Sequence, residues 1–477
     1  MASVALTDSV LGDVLKTTVL MAGYKAMTAS SDPQAGQPQA RPLDKNDYKT
    51  LGLSSLGGTL EFYDFVIFVF FTGTLTHLFF PGDNEFIAQM KTLGIFAAGY
   101  LARPIGGIIM AHYGDKIGRK RMFTLSIFLM ALPTLVIGLL PTYETIGMLA
   151  PALLLLMRIL QGAAIGGEMP GAWVFIAEHT PAQRYGLGVG TLTSGITGGI
   201  LLGSIVAIFI QRSYSAAEIN DYAWRIPFVL GGIFGFISVY LRKFLQETPI
   251  FKEMAAKHAL AKEMPVKTVM RSHKEACIIT AILTWSLSTA VVVTVLMTPA
   301  VVVEKMYQID RTVSLQANCV ATLMLTLGCI FWGWISDKLG TRVCMVASWG
   351  GLALSAFHFY SALHTGIGAG ELMFNYGLMG LFSGAIATTP IVGARAFPPA
   401  IRFSGLSFAY NLSYAVFGGL TPMITGAWLQ QSHMAPAYYV GFVSLLAVAV
   451  AFLPLSYKGW TAKRRQSEAS PAGVVAE

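Results

Sequence analysis

The sequence predicts an all-α membrane protein with twelve transmembrane helices, arranged as two six-helix bundles. Composition is the first observation that supports this fold class. Of the 477 residues, 54% are hydrophobic and 12% are charged, and this charged fraction is about half that of a soluble domain. The second observation is a series of apolar stretches, each close to the ~20 residues that a helix needs to cross a bilayer. The third is a set of loop sequences that recurs six stretches later.

The apolar stretches define the spans one by one. In the first, aromatic and aliphatic residues from 60 to 71 would cover every side of a helix, which excludes a soluble surface helix. The predicted spans are 53–75, 92–113, 121–141, 148–171, 186–210, 225–245, 277–300, 315–335, 343–362, 372–394, 404–427 and 437–456.

The distribution of Lys and Arg residues predicts the topology. If both termini are cytoplasmic, 26 of the 33 basic residues fall in cytoplasmic segments and five fall in outer loops. This asymmetry is the positive-inside pattern of a membrane protein. It accounts for the net charge of +8 without a nucleic-acid partner.

Two loop sequences repeat between the halves of the chain. Gly-Asp-Lys-Ile-Gly-Arg-Lys at 114–120 corresponds to Ser-Asp-Lys-Leu-Gly-Thr-Arg at 336–342, and Pro-Ala-Gln-Arg at 181–184 corresponds to Pro-Ala-Ile-Arg at 399–402. Equivalent loops six spans apart indicate two bundles related by an axis along the membrane normal. The predicted organisation is a disordered cytoplasmic tail (1–50), an N-terminal bundle (51–245), a cytoplasmic linker (246–276), a C-terminal bundle (277–456) and a cytoplasmic tail (457–477).

Four charged residues lie inside predicted spans of the N-terminal bundle. Glu61 and Asp64 are three residues apart in the first span, so they project from neighbouring positions on one helix face. Arg103 and Arg158 lie near the middle of the second and fourth spans. Ionisable groups at membrane depth are costly and usually mark an ion, proton or substrate pathway. An ion-pair network that only clamps the helices together is the structural alternative.

Several motifs occur in a fixed order along the chain. They are Glu-Phe-Tyr-Asp (61–64), Ala-Arg-Pro-Ile-Gly-Gly (102–107), Gly-Asp-Lys-Ile-Gly-Arg-Lys (114–120), Arg-Ile-Leu-Gln-Gly (158–162), Gly-Gly-Glu (166–168), Trp-Arg-Ile-Pro-Phe (224–228), Arg-Phe-Ser-Gly-Leu-Ser-Phe-Ala-Tyr-Asn (402–411) and Phe-Gly-Gly (417–419). Together they resemble the major facilitator superfamily and, within it, the metabolite:proton symporter family of proline/betaine, citrate and 2-oxoglutarate permeases. The resemblance covers residues 50 to 456 and implies the major facilitator fold and proton-coupled transport of a small metabolite.

The charged residues suggest a division of labour in such a carrier. We expect Asp64, with Glu61 as second choice, to take up the coupling proton. One arginine, Arg103 in preference to Arg158, would bind a substrate carboxylate, because the planar guanidinium fork suits bidentate pairing. Tyr63 is a further candidate for substrate contact. Candidates from the C-terminal bundle, each equally explained by interhelical hydrogen bonding, are Trp285, Tyr410, Asn411 and Tyr414.

A second set of charges lies near predicted cytoplasmic helix ends. We expect Asp115 to face the N-terminus of another helix, with the eleventh span as first choice, and Arg119 to pair with an acid near the end of the fourth span. Such contacts would close the inner side of the carrier and break during alternating access. The predicted gating residues are Asp115, Arg119, Glu168, Glu178, Arg184, Asp337 and Arg402.

The leading functional prediction is a secondary transporter that imports a small organic acid with protons, without a cofactor or metal, as a monomer in the bacterial inner membrane. Uptake of a zwitterionic osmolyte (proline or betaine), drug efflux and a nutrient-sensing receptor are the alternatives. Arg103 and the short C-terminal tail, which lacks the heptads of osmosensory betaine carriers, favour an organic anion. The sequence has no Walker A motif, no metal-ligand spacing and no visible nucleophile–base pair, so an enzyme or a direct ATP-driven pump is not expected.

Overall fold

A computed structural model describes residues 42–82, 84–256 and 265–456, and these residues form helices without any β-strand. The predicted tails therefore lie outside the described residues up to residue 41 and from residue 457. Within the first linear half, the spanning helices are α1 (Lys45–Phe70), α2 (Glu85–Ile117), α3 (Arg119–Leu139), α4 (Leu149–His179), α5 (Tyr185–Ser213) and α6 (Arg225–Leu241).

The second half contains the other six predicted spans. They are α7 (Lys274–Val291), α8 (Arg311–Leu339), α9 (Thr341–Thr365), α10 (Ala369–Ala396), α11 (Arg402–Ser413) and α12 (Ala435–Val450). By length and composition, α1 to α10 could each cross a membrane. The last two helices are shorter. α12 has 16 residues, and α11 ends as a regular α-helix at Ser413, where the helix type changes.

Prolines explain two departures from regular α-helix. α11 passes through a π-helical turn, Tyr414–Gly418, before it continues as Gly419–Leu429. Pro422 follows this turn by four residues, and a proline both lacks an N–H and clashes with the carbonyl four residues earlier. In the same way, α7 continues as a π-helical segment, Val292–Met306, which contains Pro299. Such segments are frequent at functional sites.

α1 begins eight residues before the predicted span. Asp44 and Asp47 form a capping box, in which each carboxylate accepts a hydrogen bond from the other residue's backbone N–H at 2.8 and 2.9 Å. The box satisfies two donors that would otherwise be left at the helix start. Residues 45–50, predicted as part of the disordered tail, are therefore helical.

The internal repeat is visible in the backbone of two tight turns. Gly118 joins α2 to α3 with φ +127°, and Gly340 joins α8 to α9 with φ +89°. Both conformations favour glycine, since a Cβ is strained in this region. Equivalent turns thus carry equivalent glycines in the two halves.

Helix packing follows the two halves of the chain. α2 packs on α4, α1 on α5 and α3 on α6 in the first half; α8 packs on α10, and α9 and α7 pack on α12 in the second. The main contacts between the halves are α5 with α8 and α2 with α11. This arrangement of two six-helix bundles matches the predicted fold class, while the residue boundaries of the predicted domains stay predictions.

Candidate functional site

The buried charges of the N-terminal bundle face the protein interior. The side chains of Asp64, Arg103 and Arg158 are each 1% exposed, while Leu101 and Ile105 of α2 are 68% and 65% exposed. α2 therefore presents an apolar face outward and Arg103 inward, as expected for a bilayer environment. The side chain of Glu61 lies outside the described part of the structure.

Arg103 lies between α2 and α11, against two tyrosine rings. Its guanidinium carbon is 4.5 Å from the ring centroid of Tyr414 and 5.3 Å from that of Tyr100. The two rings are nearly parallel, with centroids 5.8 Å apart, and Tyr410 follows at 5.5 Å from Tyr414. Because Tyr414 begins the π-helical turn, the irregular part of helix eleven is the part that meets Arg103. Stacking orients the planar guanidinium, which is how arginine is prepared for bidentate recognition.

Arg158 is held by a polar chain within the N-terminal bundle. Its Nη1 donates to Gln161 Oε1 at 2.9 Å, and Gln161 Nε2 donates to Thr134 Oγ1 of α3 at 2.7 Å. The guanidinium also lies 4.2 Å from the ring centroid of Phe68. Arg158 also lies 5.3 Å from the ring centroid of Phe96, and Phe96 contacts Tyr100, the ring beside Arg103, so the two arginines belong to one cluster.

Asp64 points from α1 toward α3 and α6. A Cβ atom placed on Gly231 would lie 2.5 Å from Asp64 Oδ1 and 3.0 Å from Thr134 Cγ2, and one on Gly235 would lie 3.3 Å from Asp64 Oδ2. The carboxylate and the end of the Arg158 polar chain therefore meet around Gly231. This contact pattern places Asp64 on the Arg158 side of the cluster, whereas Arg103 lies on the α11 side.

Three predicted substrate-contact residues have other packing partners. The Tyr63 hydroxyl donates to the carbonyl of Pro227 at 2.9 Å and thereby joins α1 to α6. Trp285 donates from Nε1 to the Tyr439 hydroxyl of α12 at 2.9 Å and stacks on Phe417. Asn411 Nδ2 donates to the carbonyl of Gly166 at 2.6 Å, which joins α11 to α4. Tyr410 and Tyr414 are the predicted residues of the second bundle that the structure brings to Arg103.

Glu168 lies deeper than predicted. The sequence placed it near the cytoplasmic surface, but α4 continues to His179, so Glu168 is eleven residues, or about 16 Å, from the helix end. Its side chain is buried, with the residue 2% exposed. The predicted gating role of Glu168 stays a prediction.

Two carboxylates join the bundles at the ends predicted to be cytoplasmic. Asp115, near the end of α2, accepts a hydrogen bond from the backbone N–H of Ser404 at 2.9 Å, in the first turn of α11. Asp337, near the end of α8, accepts from the N–H groups of Gly186 and Leu187 at 2.6 and 2.8 Å, in the first turn of α5. An anion at a helix N-terminus is stabilised by unsatisfied N–H groups and the helix dipole. The repeated loops thus make equivalent contacts. The carboxylate of the first half binds the start of a helix in the second half, and the carboxylate of the second half binds the start of a helix in the first.

Glu178 at the end of α4 binds two arginines. Its carboxylate lies 3.0 Å from Arg119 Nε and 3.1 Å from Arg402 Nη1 of α11, in buried ion pairs. Arg119 also donates to the carbonyl of Pro399 at 2.8 Å. We call Asp115, Arg119, Glu178, Asp337 and Arg402 the inner latch. Arg184 is partly exposed at the start of α5 and interacts electrostatically with Asp337.

The linker adds contacts to the inner latch that the sequence analysis missed. Thr248 Oγ1 donates to Glu178 Oε2 at 2.7 Å, and Glu247 accepts hydrogen bonds from the backbone N–H groups of Arg119 and Lys120 at the start of α3. The signal in the sequence is Thr248 directly before Pro249, because Thr at the N-cap and Pro at the first position are typical of a helix start. The helix that follows is Pro249–Ala256.

We expect Glu178→Gln to open the inner side of the protein. The variant removes the buried carboxylate that joins Arg119 to Arg402, whereas Arg119 keeps its ion pair with Asp115 at 3.4 Å. Breaking a buried ion pair typically costs about 3–5 kcal/mol, so loss of the Glu178–Arg402 pair between the bundles should shift a two-state equilibrium by roughly 100-fold or more. The readout is the maleimide alkylation rate of a cysteine introduced at Ser407, which is buried against α4, followed by mass spectrometry. Glu253→Gln, at an exposed acid of the linker helix, is the matched control. Equal alkylation rates in the two variants would show that the inner latch does not hold this side closed.

Comparisons with known proteins agree with this architecture. The model described as Major Facilitator Superfamily matches residues 56–374. The proline/betaine transporter of Salmonella typhimurium (strain LT2) is 30% identical over 445 residues, covering 89% of this chain and 86% of that protein. The proline/betaine transporter of Escherichia coli (strain K12) is 31% identical over 419 residues, covering 84% and 82%. The solved structure of the proton:xylose symporter XylE bound to 6-bromo-6-deoxy-D-glucose has a TM-score of 0.71 at 19% identity, covering 86% of this chain and 96% of that one.

Proposed function

Because this chain belongs to the major facilitator superfamily and is a multi-pass membrane transporter, we propose that it imports a small carboxylate-bearing solute together with protons. The proposed setting is the bacterial inner membrane, with both termini cytoplasmic and the protein acting as a monomer. The observation that carries the proposal is the position of Arg103, a buried cation at the contact between the two bundles.

Arg103 is proposed to bind the carboxylate of the solute. A guanidinium presents parallel N–H donors that match a carboxylate, and Tyr100 and Tyr414 fix its plane. Since α2 belongs to one bundle and Tyr414 to the other, a solute bound here would contact both bundles. Binding can then favour closure around the solute, which alternating access requires.

Asp64 is proposed to carry the coupling proton. Protonation would remove the negative charge from the Asp64 carboxylate, which lies among α1, α3 and α6 beside the polar chain of Arg158. Loss of that charge changes the electrostatic environment of both arginines, so that proton binding and anion binding would assist each other. Glu61 remains the second choice for this role.

We expect Asp64→Asn to separate solute transport from the proton gradient. The amide keeps the shape of the side chain but cannot exchange a proton at this position. Proteoliposomes with this variant should exchange internal for external solute, yet show no accumulation driven by a pH gradient. Asp221→Asn, at an exposed acid of the π-helical turn Ile219–Ala223 before α6, should accumulate solute like the unmodified protein. Normal gradient-driven accumulation by Asp64→Asn would remove Asp64 from the coupling step.

The inner latch is proposed to act as the cytoplasmic gate. Asp115 and Asp337 each join the end of a helix in one bundle to the start of a helix in the other. Separation of the bundles on this side must break both contacts and the Glu178–Arg402 ion pair. The structure described here therefore corresponds to a state closed at the inner latch.

Two substrate classes fit the Arg103 cluster. An organic acid anion requires only the guanidinium and hydrogen-bond donors. A zwitterion such as proline or betaine also needs a place for its cationic group, and Tyr410, Tyr414 and Trp173 supply aromatic rings there, with Trp173 5.0 Å from Tyr410. Cations bind to aromatic faces, and the two bacterial relatives are named proline/betaine transporters. The aromatic wall therefore keeps the osmolyte as a second candidate.

A competition panel in proteoliposomes tests the proposal. Citrate, 2-oxoglutarate, acetate, proline and glycine betaine would each be added outside while proton influx and solute accumulation are measured. We expect at least one of these carboxylates to drive proton influx and its methyl ester to fail. Response to the zwitterions but not the acids would select the osmolyte. Proton influx with an ester as effective as the acid would overturn carboxylate recognition, and binding without accumulation would indicate a receptor.

A further inference from the structure

The contact between α5 and α8 is close at one end and open at the other. At the inner-latch end, a Cβ on Gly186 would lie 2.4 Å from the Gly333 carbonyl oxygen, so the two backbones touch. Further along, Thr197 Oγ1 donates to Thr326 Oγ1 at 3.2 Å. Beyond this hydrogen bond, toward the ends that the topology places outside, residues of both helices line one cavity, so the two helices stand apart there.

The divergence leaves a crevice of about 710 Å³ between α5, α8 and the start of α10, a volume typical of small-molecule sites. We call it the outer crevice. Its mouth is polar and its walls are apolar. The mouth residues are Gln211, Arg212, Thr312 and Gln316, and the apolar wall residues are Ile208, Leu315, Val320 and Met373.

We propose that the outer crevice binds a medium-chain alkyl carboxylate and that the bound molecule holds α5 and α8 apart. Among the described residues that line the crevice, Arg212 is the charged one, so the mouth favours an anionic head group. Gln211, Gln316 and Thr312 add amide and hydroxyl groups that can hydrogen-bond to the same head.

The walls explain why the molecule needs an alkyl chain. Thr312 at the mouth and Cys319 deeper on α8 are seven residues apart, which corresponds to a depth of about 10 Å along the helix. Leu315, Val320 and Met373 line this depth. An alkyl chain that binds here would pass from water into contact with apolar side chains, which is favourable. A short polar acid would leave this part of the crevice unfilled.

The position of the outer crevice gives its occupant a consequence for transport. The crevice lies beyond the Thr197–Thr326 hydrogen bond, at the end of the α5–α8 contact that is remote from the inner latch. Alternating access would bring their outer ends together and remove the space. A ligand that binds one state and not the other shifts the population toward the state it binds. An alkyl carboxylate should therefore inhibit cycling by holding the state in which the inner latch is closed.

Cys319 provides a direct measure of occupancy, because it lines the outer crevice and is partly exposed. Cys329 and Cys344 are buried, and Cys277 can be replaced by serine to leave one partly exposed thiol. The probe is octanoate, added to the full-length Cys277→Ser protein in detergent. At ten times its dissociation constant, it should slow maleimide alkylation of Cys319 about tenfold. Octan-1-ol tests the need for the charge, and acetate tests the need for the chain; neither should protect Cys319 comparably.

Two charge variants test the assignment of the head group. Arg212→Gln should weaken protection by octanoate about threefold or more, in line with an exposed charge pair. Lys91→Gln, at an exposed cation on α2 outside the crevice, should leave the protection unchanged. Equal protection by octanol, equal protection by acetate, or undiminished protection in Arg212→Gln would each overturn the proposal.

A third variant tests whether a molecule bound in the outer crevice holds α5 and α8 apart. Val320→Trp fills the outer crevice and should abolish octanoate protection. In the protein without Val320→Trp, octanoate should also slow alkylation of the Ser407→Cys thiol near the inner latch. Unchanged alkylation there would refute the proposal that the bound molecule holds α5 and α8 apart. These readouts measure binding and conformation without any transported solute, so they would stand or fall independently of the proposed symport.

Discussion

Replacing Arg103 with glutamine is expected to weaken binding of the transported solute by about 100-fold or more. Hydrogen bonds to a charged group contribute about 1.5–3 kcal/mol each, and a guanidinium offers two of them to one carboxylate. Loss of both corresponds to at least two orders of magnitude in the dissociation constant. The solute affinity of Arg103→Lys should lie between those of the unmodified protein and Arg103→Gln, because an ammonium keeps the charge but not the planar fork.

The surroundings of Arg103 make this effect specific to the guanidinium. The residue is 1% exposed and lies against Tyr100 and Tyr414, so water cannot readily replace the lost donors. Glutamine also stacks less well on the tyrosine rings, which removes the element that orients the site. Binding should therefore be lost even at saturating proton concentration, which separates this variant from Asp64→Asn.

The measurement is equilibrium binding of the solute identified in the competition panel, with purified protein in detergent. Arg271→Gln, at an exposed arginine of the linker helix Pro265–Ser272, controls for the loss of one positive charge. Thermal unfolding of each variant establishes that the folded protein is being compared. If Arg103→Gln binds the solute as tightly as Arg271→Gln, the carboxylate site lies elsewhere.

The parts of the structure that the sequence could predict are those encoded locally. Asp115 and Gly118 belong to a loop that repeats at Asp337 and Gly340, and the repeat alone indicates equivalent turns. A carboxylate that is withdrawn from water at this position is stabilised by helix N-termini and basic groups. The contact of Asp115 with the start of α11 could therefore be anticipated from the chain.

Helix ends were harder to predict, because hydropathy indicates which residues lie in the membrane but not where the helix ends. α4 continues from the predicted end at residue 171 to His179, and its last turns are buried by α11 and the linker rather than by lipid. Glu168 consequently lies eleven residues inside the end of α4. The extension of α1 to Lys45 has the same origin, although the Asp44–Asp47 capping box was present in the sequence.

Side-chain direction on helices that are apolar on all sides could not be predicted. Trp285 and Tyr63 were expected to contact substrate because they are polar aromatic residues within spans. The structure gives them hydrogen-bond partners on α12 and α6, and substrate contact by either residue stays a prediction. Amphipathicity indicates which side of a helix faces inward, but helices with polar and aromatic residues on several sides give no such signal. Only packing decides between them.

A second large effect is expected at the contact between α2 and α4, which positions both arginines. Gly106→Ala should destabilise the protein by about 3 kcal/mol and abolish transport. The added Cβ would lie 2.0 Å from the backbone oxygen of Ala163 and 2.5 Å from its Cα. Overpacking a well-packed contact typically costs about 1–3 kcal/mol, occasionally more, and a backbone cannot rotate away as a side chain can. The helices must separate, and the carbonyl of Arg103, which would lie 2.1 Å from a Cβ on Gly166 of α4, must move with them.

Gly94→Ala on the same helix is the matched control, because nothing lies within 4 Å of its added Cβ. That variant should be unchanged or more stable by about 0.5–1 kcal/mol, since alanine loses less conformational freedom in a helix than glycine does. Thermal unfolding in detergent compares the two variants directly. A Gly106→Ala protein as stable as Gly94→Ala would mean that α2 and α4 do not approach backbone to backbone. The stacking geometry of Arg103 would then lose its structural support, because the small residues that allow close helix approach in membranes would not be setting the position of α2.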